Sequence, residues 1–275
     1  KPPLIHTDAH LDTFWKRTPW PGLRLMPGGV PIQEADISLH FLATGPYEGH
    51  RRVYRLLRDA IHRWEAAHPP KTDPRQLVDK DGRIDHETYN KALYETLDVV
   101  IIDTAPSLSL AQLNAVVAAD TLIIPQTMRG FDLSTLRIYL NSLSEYLRFI
   151  RHEDDPVAFR PMPSYILPTI VSTASDTDLR HVGELYATDP EVVCPIYYAR
   201  SEAVANAAED YHSIYEYVPP KSRQKSAAAF MRNANAVGDA ITARAIPRLP
   251  PRGFANEFVR ENLPEGTPMW TEEPK

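Results

Sequence analysis

The predicted fold rests on one stretch of sequence, Leu97-Asp98-Val99-Val100-Ile101-Ile102-Asp103-Thr104-Ala105-Pro106. Four consecutive β-branched residues, 99–102, are typical of a strand that is buried on both faces in a parallel sheet covered by helices. The strand is predicted to end at Asp103, because Pro106 cannot continue a hydrogen-bonded ladder. Open α/β sheets bind ligands at the carboxyl ends of their strands, and in phosphate-handling enzymes an acid at that position holds Mg²⁺. This stretch alone leaves open the alternative that Asp103 only caps a helix beginning near Ser107.

The rest of the chain alternates between predicted strands and helices. Further strands are predicted at 23–27, 122–125, 165–170, 192–197 and 213–218. Helices are predicted at 31–42, 49–67, 86–96, 107–118, 133–151, 176–187, 201–210 and 223–245. This alternation indicates an α/β fold with a mostly parallel sheet flanked by helices. Residues 1–245 are predicted to form one domain with a surface excursion at 68–85, and residues 246–275, with six prolines, a C-terminal tail.

Composition narrows the class of protein. The chain has 275 residues, a formal net charge of −6 and a single cysteine, Cys194. One cysteine excludes an intrachain disulfide and a cysteine-based metal cluster, and its apolar neighbours predict that Cys194 packs rather than reacts. No apolar run is long enough to span a bilayer. Residues 221–252 hold seven Lys or Arg residues against one acid, Asp239, which indicates either a surface for an anionic partner or a solvated helix face.

Several motifs together resemble the ParA/Soj partition ATPases, the deviant Walker A P-loop proteins related to MinD. The strand 98–102 is followed, in the family's order and spacing, by Asp103, Pro106-Ser107-Leu108, Leu113-Asn114-Ala115, Ala118-Ala119-Asp120 and Ile123-Ile124-Pro125. Segments 20–28, 167–169 and 205–223 resemble three other parts of the family pattern. The resemblance covers about residues 18–245 and is greatest to plasmid-type members.

The resemblance implies a P-loop NTPase-like fold and a role in moving plasmid or chromosome DNA. It further implies ATP and Mg²⁺ as cofactors, a homodimer that forms on ATP binding, non-specific DNA binding, a ParB-like centromere-binding partner, and a cytoplasmic, nucleoid-associated protein without membrane contact. Asp103 would be the catalytic acid that holds Mg²⁺ through water. The other implied site residues are Thr104, Pro106 and Ser107 near the γ-phosphate, Thr169 and Tyr198 near the adenine, and Lys221, Arg223, Lys225 and Arg232 on DNA.

The family's phosphate-binding motif, Lys-Gly-Gly-x-Gly-Lys-[Ser/Thr], does not occur in this sequence. None of the eleven glycines is followed by lysine, and the first residue is Lys1. We therefore expect an N-terminally truncated chain that lacks the first strand and the P-loop, hydrolyses ATP negligibly by itself, and leaves strand 98–102 with an unpaired edge. Two alternatives are a ParA-like non-catalytic binding module and a nitrogenase iron protein-like reductase; the single cysteine disfavours the reductase.

Overall fold

The computed structural model describes residues 11–20, 22–28, 30–44, 50–68, 97–105, 107–153, 162–246 and 251–263. The chain divides into two compact units, residues 1–119 and residues 120–275. Each unit has its own buried side chains. No helix in the described part of the chain is long and apolar enough to cross a membrane.

The first unit is mainly helical. It contains helices α1 (Val30–Thr44), α2 (Leu56–Ala67) and α3 (Leu110–Ala118), 3-10 turns at Leu11–Thr13 and His50–Arg55, and a short antiparallel pair, β1 (Lys16–Arg17) and β2 (Arg24–Leu25). Helix α3 packs against α1 and α2. Two hydrogen bonds join these helices: Ala111 N–H donates to Asp36 Oδ1 at 2.7 Å, and Leu57 N–H donates to Asn114 Oδ1 at 3.2 Å.

The second unit is built on two parallel strands, β3 (Leu122–Thr127) and β4 (Ser164–Thr169), paired from Leu122 opposite Ser164 to Thr127 opposite Thr169. The segment that follows them continues the sheet through parallel bridges of Val193 to Ile166 and of Ala199 to Val171. The helices of this unit are α4 (Gly130–Glu153), α5 (Asp176–Thr188), α6 (Glu202–Glu209), α7 (Gln224–Ala245) and α8 (Phe254–Asn262).

Helices cover both faces of this small sheet. Neighbouring side chains of a strand point to opposite faces, and Ile166 packs with Leu136 of α4, whereas Leu167 packs with Val237 of α7. Cys194 lies beside Leu167 and is 1% exposed, as predicted for a packing residue, and this burial raises the pKa of its thiol to about 12. The predicted mixed α/β architecture is confirmed, with a sheet smaller than the sequence indicates.

Several predicted features differ from this structure. The strand predicted at 192–197 is reduced to the isolated bridge of Val193 to Ile166. Residues 98–102 form no strand, because no described segment forms a ladder with them. Residues 213–218 form turns, in which Glu216 N–H and Tyr217 N–H both donate to the Ser213 carbonyl. The segment predicted as a tail contains helix α8, because Ala255 and Val259 pack against apolar side chains of α7. The helix predicted at 86–96 and the excursion at 68–85, apart from His68, lie outside the described residues.

Candidate functional site

The carboxyl ends of β3 and β4 form the edge at which the resemblance places the adenine. Thr127 and Thr169 end the two strands side by side. Tyr198 N–H donates to the Pro168 carbonyl at 2.8 Å, and Val171 N–H donates to the Tyr198 carbonyl at 3.1 Å. The structure thus brings Thr169 and Tyr198 together at one edge of the sheet, and their role toward adenine stays a prediction.

The side chain of Tyr198 packs on helix α7. Its ring lies 5.8 Å from the ring of Phe230, measured between centroids. Burial raises the pKa of the Tyr198 phenol, and the nearby Tyr215 adds to this effect. Tyr198 therefore stays neutral at physiological pH, and it offers the edge an aromatic ring and a hydroxyl rather than a charge.

The loop after β4 is strained and is held in place by a carboxylate. Ile170 has φ +56° and is 57% exposed, an unusual conformation for a β-branched residue and one that is commonest at functional sites. Asp178 accepts hydrogen bonds from Ser172 N–H at 3.0 Å and from Ser175 Oγ at 3.1 Å. These bonds, the backbone one first, lower the pKa of Asp178. Asp178 therefore fixes the loop that carries Ile170.

Sequence reasoning missed several polar groups at this edge. Thr127 Oγ1 donates to Asp132 Oδ2, and His181 Nδ1 lies 2.6 Å from the Met128 carbonyl oxygen. The sequence carries a signal for some of them, because Ser175 and Asp178 match the N-terminal pattern of a capped helix and Asp132 stands in the first turn of α4. No signal in the sequence indicates the hydrogen bond that joins His181 to residue 128.

Asp103 lies in the first unit, on an exposed segment without strand pairing. Thr104 and Ser107 are exposed as well, and Pro106 is outside the described residues. The contact of this segment that the structure records is local, from Ser107 N–H to the Ala105 carbonyl at 2.8 Å. Asp103 belongs to the first unit, whereas Thr169 and Tyr198 belong to the second, and the role of Asp103 stays a prediction.

The residues of this chain fit a nucleotide-bound Mg²⁺ in part. Mg²⁺ takes one or two carboxylates together with phosphate oxygens and water, which suits a single exposed acid such as Asp103. Among the residues that the structure describes, no group of three or more His, Cys, Asp or Glu side chains could hold a metal by itself. The lysines and backbone amides of a phosphate cradle are not found in this sequence as a Gly-Lys motif. Asp103 therefore fits as one metal ligand that needs phosphate oxygens beside it.

The four predicted DNA-binding residues lie in the turn before helix α7 and in the first half of that helix. Lys221 and Arg223 belong to the 3-10 turn Lys221–Arg223, and Lys225 and Arg232 follow on α7. All four are exposed. Lys225 and Arg232 are seven residues apart and thus share one helix face. Neither has a salt-bridge partner in the described ranges, so both cations are available to an anion.

Comparison with known proteins finds similarity over part of this chain. Residues 79–153 match the family described as AAA domain. Protein IncC of Escherichia coli is 24% identical over 133 residues, which cover 48% of this chain and 35% of IncC. Protein SopA of Escherichia coli strain K12 is 27% identical over 133 residues, which cover 48% of this chain and 26% of SopA. The matched region thus spans about a third or less of these relatives. The matches confirm the predicted resemblance to the ParA-type family.

Proposed function

We propose that this chain supplies the metal-binding acid, the adenine edge and the DNA surface of a ParA-type ATPase that partitions plasmid or chromosome DNA. The observation that carries the proposal is the ordered series of motifs from Asp98 to Pro125, which lies inside the region that matches the AAA domain family. Thr169 and Tyr198 lie together at the carboxyl edge of the sheet, where open α/β sheets bind ligands, and this supports the proposed nucleotide binding.

Each predicted site residue has a chemical task in this proposal. Asp103 holds Mg²⁺ through its water, and Thr104, Pro106 and Ser107 form the segment that responds to the γ-phosphate. Thr169 and Tyr198 border the adenine. When bound, ATP and Mg²⁺ supply the phosphoryl group and its charge neutralisation. Because the lysines of a phosphate cradle are not in this sequence, we expect negligible hydrolysis by the 275-residue chain alone.

The second part of the proposal is DNA binding by the basic surface. Lys221, Arg223, Lys225 and Arg232 bind DNA phosphates and release condensed counterions, which requires no base sequence. An ATP-dependent homodimer presents two such surfaces and thereby strengthens binding. The proposed partner is a ParB-like protein bound at the centromere site, and the proposed location is the nucleoid in the cytoplasm.

The DNA surface is tested by salt dependence. The 275-residue chain and the double variant Lys221→Ala, Arg223→Ala are titrated onto a fluorescent 30-base-pair duplex at several salt concentrations. Loss of two phosphate contacts is expected to weaken binding and to reduce the slope of log K against log salt by about 0.9 per residue. Arg180→Ala, an exposed arginine that is paired with Glu184 at 2.9 Å, is the matched control. An unchanged affinity and slope in the double variant removes both residues from the proposal.

The metal-binding acid is tested in a polypeptide that joins this chain to a ParA-type phosphate-binding loop. Asp103→Ala is expected to lower Mg²⁺-dependent ATP turnover by about two orders of magnitude or more, since metal positioning is lost. Asp98→Ala removes another exposed carboxylate five residues earlier and is expected to keep normal turnover. Equal rates for both variants would remove Asp103 from the proposal.

A second candidate is a ParA-like module that binds DNA or a partner without ATPase activity. The observation that favours it is the lack of a Gly-Lys motif among the eleven glycines. Titration of the chain with a fluorescent ATP analogue and Mg²⁺ distinguishes the two candidates when it is repeated on the polypeptide that carries the phosphate-binding loop. Binding only in the joined polypeptide supports the ATPase. Failure of both to bind supports the module.

A further inference from the structure

One exposed tyrosine is fixed in place beside the basic surface. The side chain of Tyr215 is 60% exposed, yet its hydroxyl donates a hydrogen bond to Asn235 Oδ1 at 2.7 Å. The bond fixes the polar end of the ring on helix α7 and leaves ring surface open to solvent. A tyrosine held in this way has already lost part of its rotamer freedom, so a partner that contacts it spends less free energy on ordering it.

The tether places Tyr215 next to the cations. Asn235 follows Arg232 by three residues on α7, and residues at that spacing are neighbours on a helix surface. Lys225 lies on the same face two turns earlier. The acid next to the tyrosine, Glu216, is occupied, because its Oε2 accepts from Ser213 N–H and from Ser213 Oγ, both at 3.0 Å. The carboxylate of Glu216 keeps its negative charge, whereas the exposed charges on the neighbouring part of α7, Lys225 and Arg232, are positive.

The turn region itself exposes further apolar surface. Tyr211 is 97% exposed and has φ +57°, a strained conformation for a tyrosine, and Val218 is 87% exposed. Exposed apolar side chains on both sides of Tyr215 in the sequence are typical of an interaction surface when they lie together with charge. Aromatic rings interleaved with cations are the chemistry by which proteins hold single-stranded nucleic acid: bases stack on the rings, and phosphates follow the cations.

We propose that residues 211–218 and the adjoining face of α7 form a stacking platform for unpaired nucleobases. A base stacks on the ring of Tyr215, and Lys225 and Arg232 bind the phosphates that flank it. The inference rests on the proposed DNA-binding function of the same surface and adds to it a contact that does not depend on charge. Stacking tolerates every base, because each base has a π-face, and this agrees with binding without sequence preference.

The test separates bases from phosphates. The 275-residue chain is titrated onto a fluorescent 15-mer of thymidylate and onto an abasic 15-mer with the same number of phosphates, at several salt concentrations. We expect the thymidylate strand to bind about 5- to 100-fold more tightly than the abasic strand, with the same salt slope on both. Tyr215→Leu, which keeps apolar bulk and removes the π-face, is expected to reduce the thymidylate affinity to the abasic value at an unchanged slope. Tyr215→Phe is expected to retain most of the preference.

The control variant for this test is a second exposed tyrosine. Tyr146→Ala removes another exposed tyrosine, 46% accessible on α4, and is expected to leave both affinities unchanged. Equal binding of both strands by the unmodified chain, with a steep salt slope, would overturn the stacking platform and leave the DNA surface intact. Failure to bind either strand or duplex DNA would overturn both. Retention of the full preference by Tyr215→Leu, or tighter binding of polyglutamate than of thymidylate, would overturn the platform as well.

Discussion

Two segments of this chain that are both predicted as strands, 98–102 and 165–170, have opposite environments. Residues 99–102 in the first unit are Val-Val-Ile-Ile, and Ile101 is 88% exposed. In the second unit Ile166 of β4 is 6% exposed. The difference lies in their neighbours, because Ile166 has β3 on one side and on the other exchanges hydrogen bonds with Val192 and Cys194 at 2.8 Å. An apolar segment thus becomes a strand where a partner strand exists, since β propensity reflects packing against neighbours.

The same comparison explains why one part of the candidate site is held by backbone hydrogen bonds and the other is not. At the end of β4, the segment that contains Tyr198 is joined by backbone hydrogen bonds to the segment that contains Thr169. At the end of the run 99–102, Asp103 follows backbone that has no ladder within the described ranges. Functional side chains need support from rigid elements to hold a productive geometry. The proposed metal-binding role of Asp103 therefore depends on strand pairing of residues 99–102, whereas the edge at Thr169 is already formed.

The largest expected effect comes from a matched pair of isoleucines. Ile166→Ala removes a buried side chain between β4 and α4 and is expected to lower the free energy of unfolding by about 2–5 kcal/mol. Ile101→Ala removes an exposed side chain and is expected to change it by less than about 0.5 kcal/mol. Urea unfolding followed by circular dichroism measures both. A cost above 2 kcal/mol for Ile101→Ala would show that residues 99–102 are a buried strand and would end the contrast.

The sequence predicts the local elements of this fold well and the non-local ones poorly. Helices predicted at 133–151 and 223–245 are found at Gly130–Glu153 and Gln224–Ala245, because apolar spacing and flanking residues are local signals. Strand pairing depends on distant segments, so the run 98–102 misleads. Helix α8 carries apolar residues at helical spacing, but the surrounding prolines favour a tail. The α7 residues on which it packs precede it by 14 to 23 positions.

The candidate site follows the same division. The resemblance identifies Thr169 and Tyr198, which the fold brings together at the edge of the sheet. It gives no indication of the tether of Tyr215 to Asn235, which joins residues 20 positions apart, or of the hydrogen bond from Ser172 N–H to Asp178. Such contacts depend on how the loops are placed by packing, which one sequence does not encode in a local pattern.

A second, smaller effect is expected at the junction of α7 and α8. The Asp239 carboxylate is 7% exposed and accepts from Arg252 N–H at 2.6 Å and from Ala255 N–H at 3.1 Å, so it caps the beginning of α8 from outside. Asp239→Ala leaves both N–H groups without this acceptor and is expected to cost about 1–3 kcal/mol. Limited proteolysis within residues 251–263 measures the release of α8.

The matched control for this junction is Glu257→Ala, which removes an exposed acid from the first turn of α8. It is expected to leave the proteolysis rate within a factor of two, because its carboxylate is solvated. Asp239→Asn keeps one acceptor oxygen and is expected to fall between the two. Equal protection of α8 in all three variants would show that the cap is not needed. The packing of Ala255 and Val259 on α7 would then be sufficient to hold the helix.

The smallest effect is expected in the pH dependence of the loop after β4. Hydrogen bonds from Ser172 N–H and Ser175 Oγ lower the pKa of Asp178 below its unfolded value. A depressed carboxyl pKa stabilises the folded state above the unfolded pKa of about 4, and this contribution is lost as the pH falls through the folded pKa. Asp178→Asn is therefore expected to lower Tm slightly at pH 6 and to match the unmodified chain near pH 2. Asp176→Asn, in the same first turn, is the control.

A Tm difference that persists unchanged at both pH values would mean that Asp178 acts through packing and not through its charge. The backbone of the loop alone would then hold Ile170 at its positive φ.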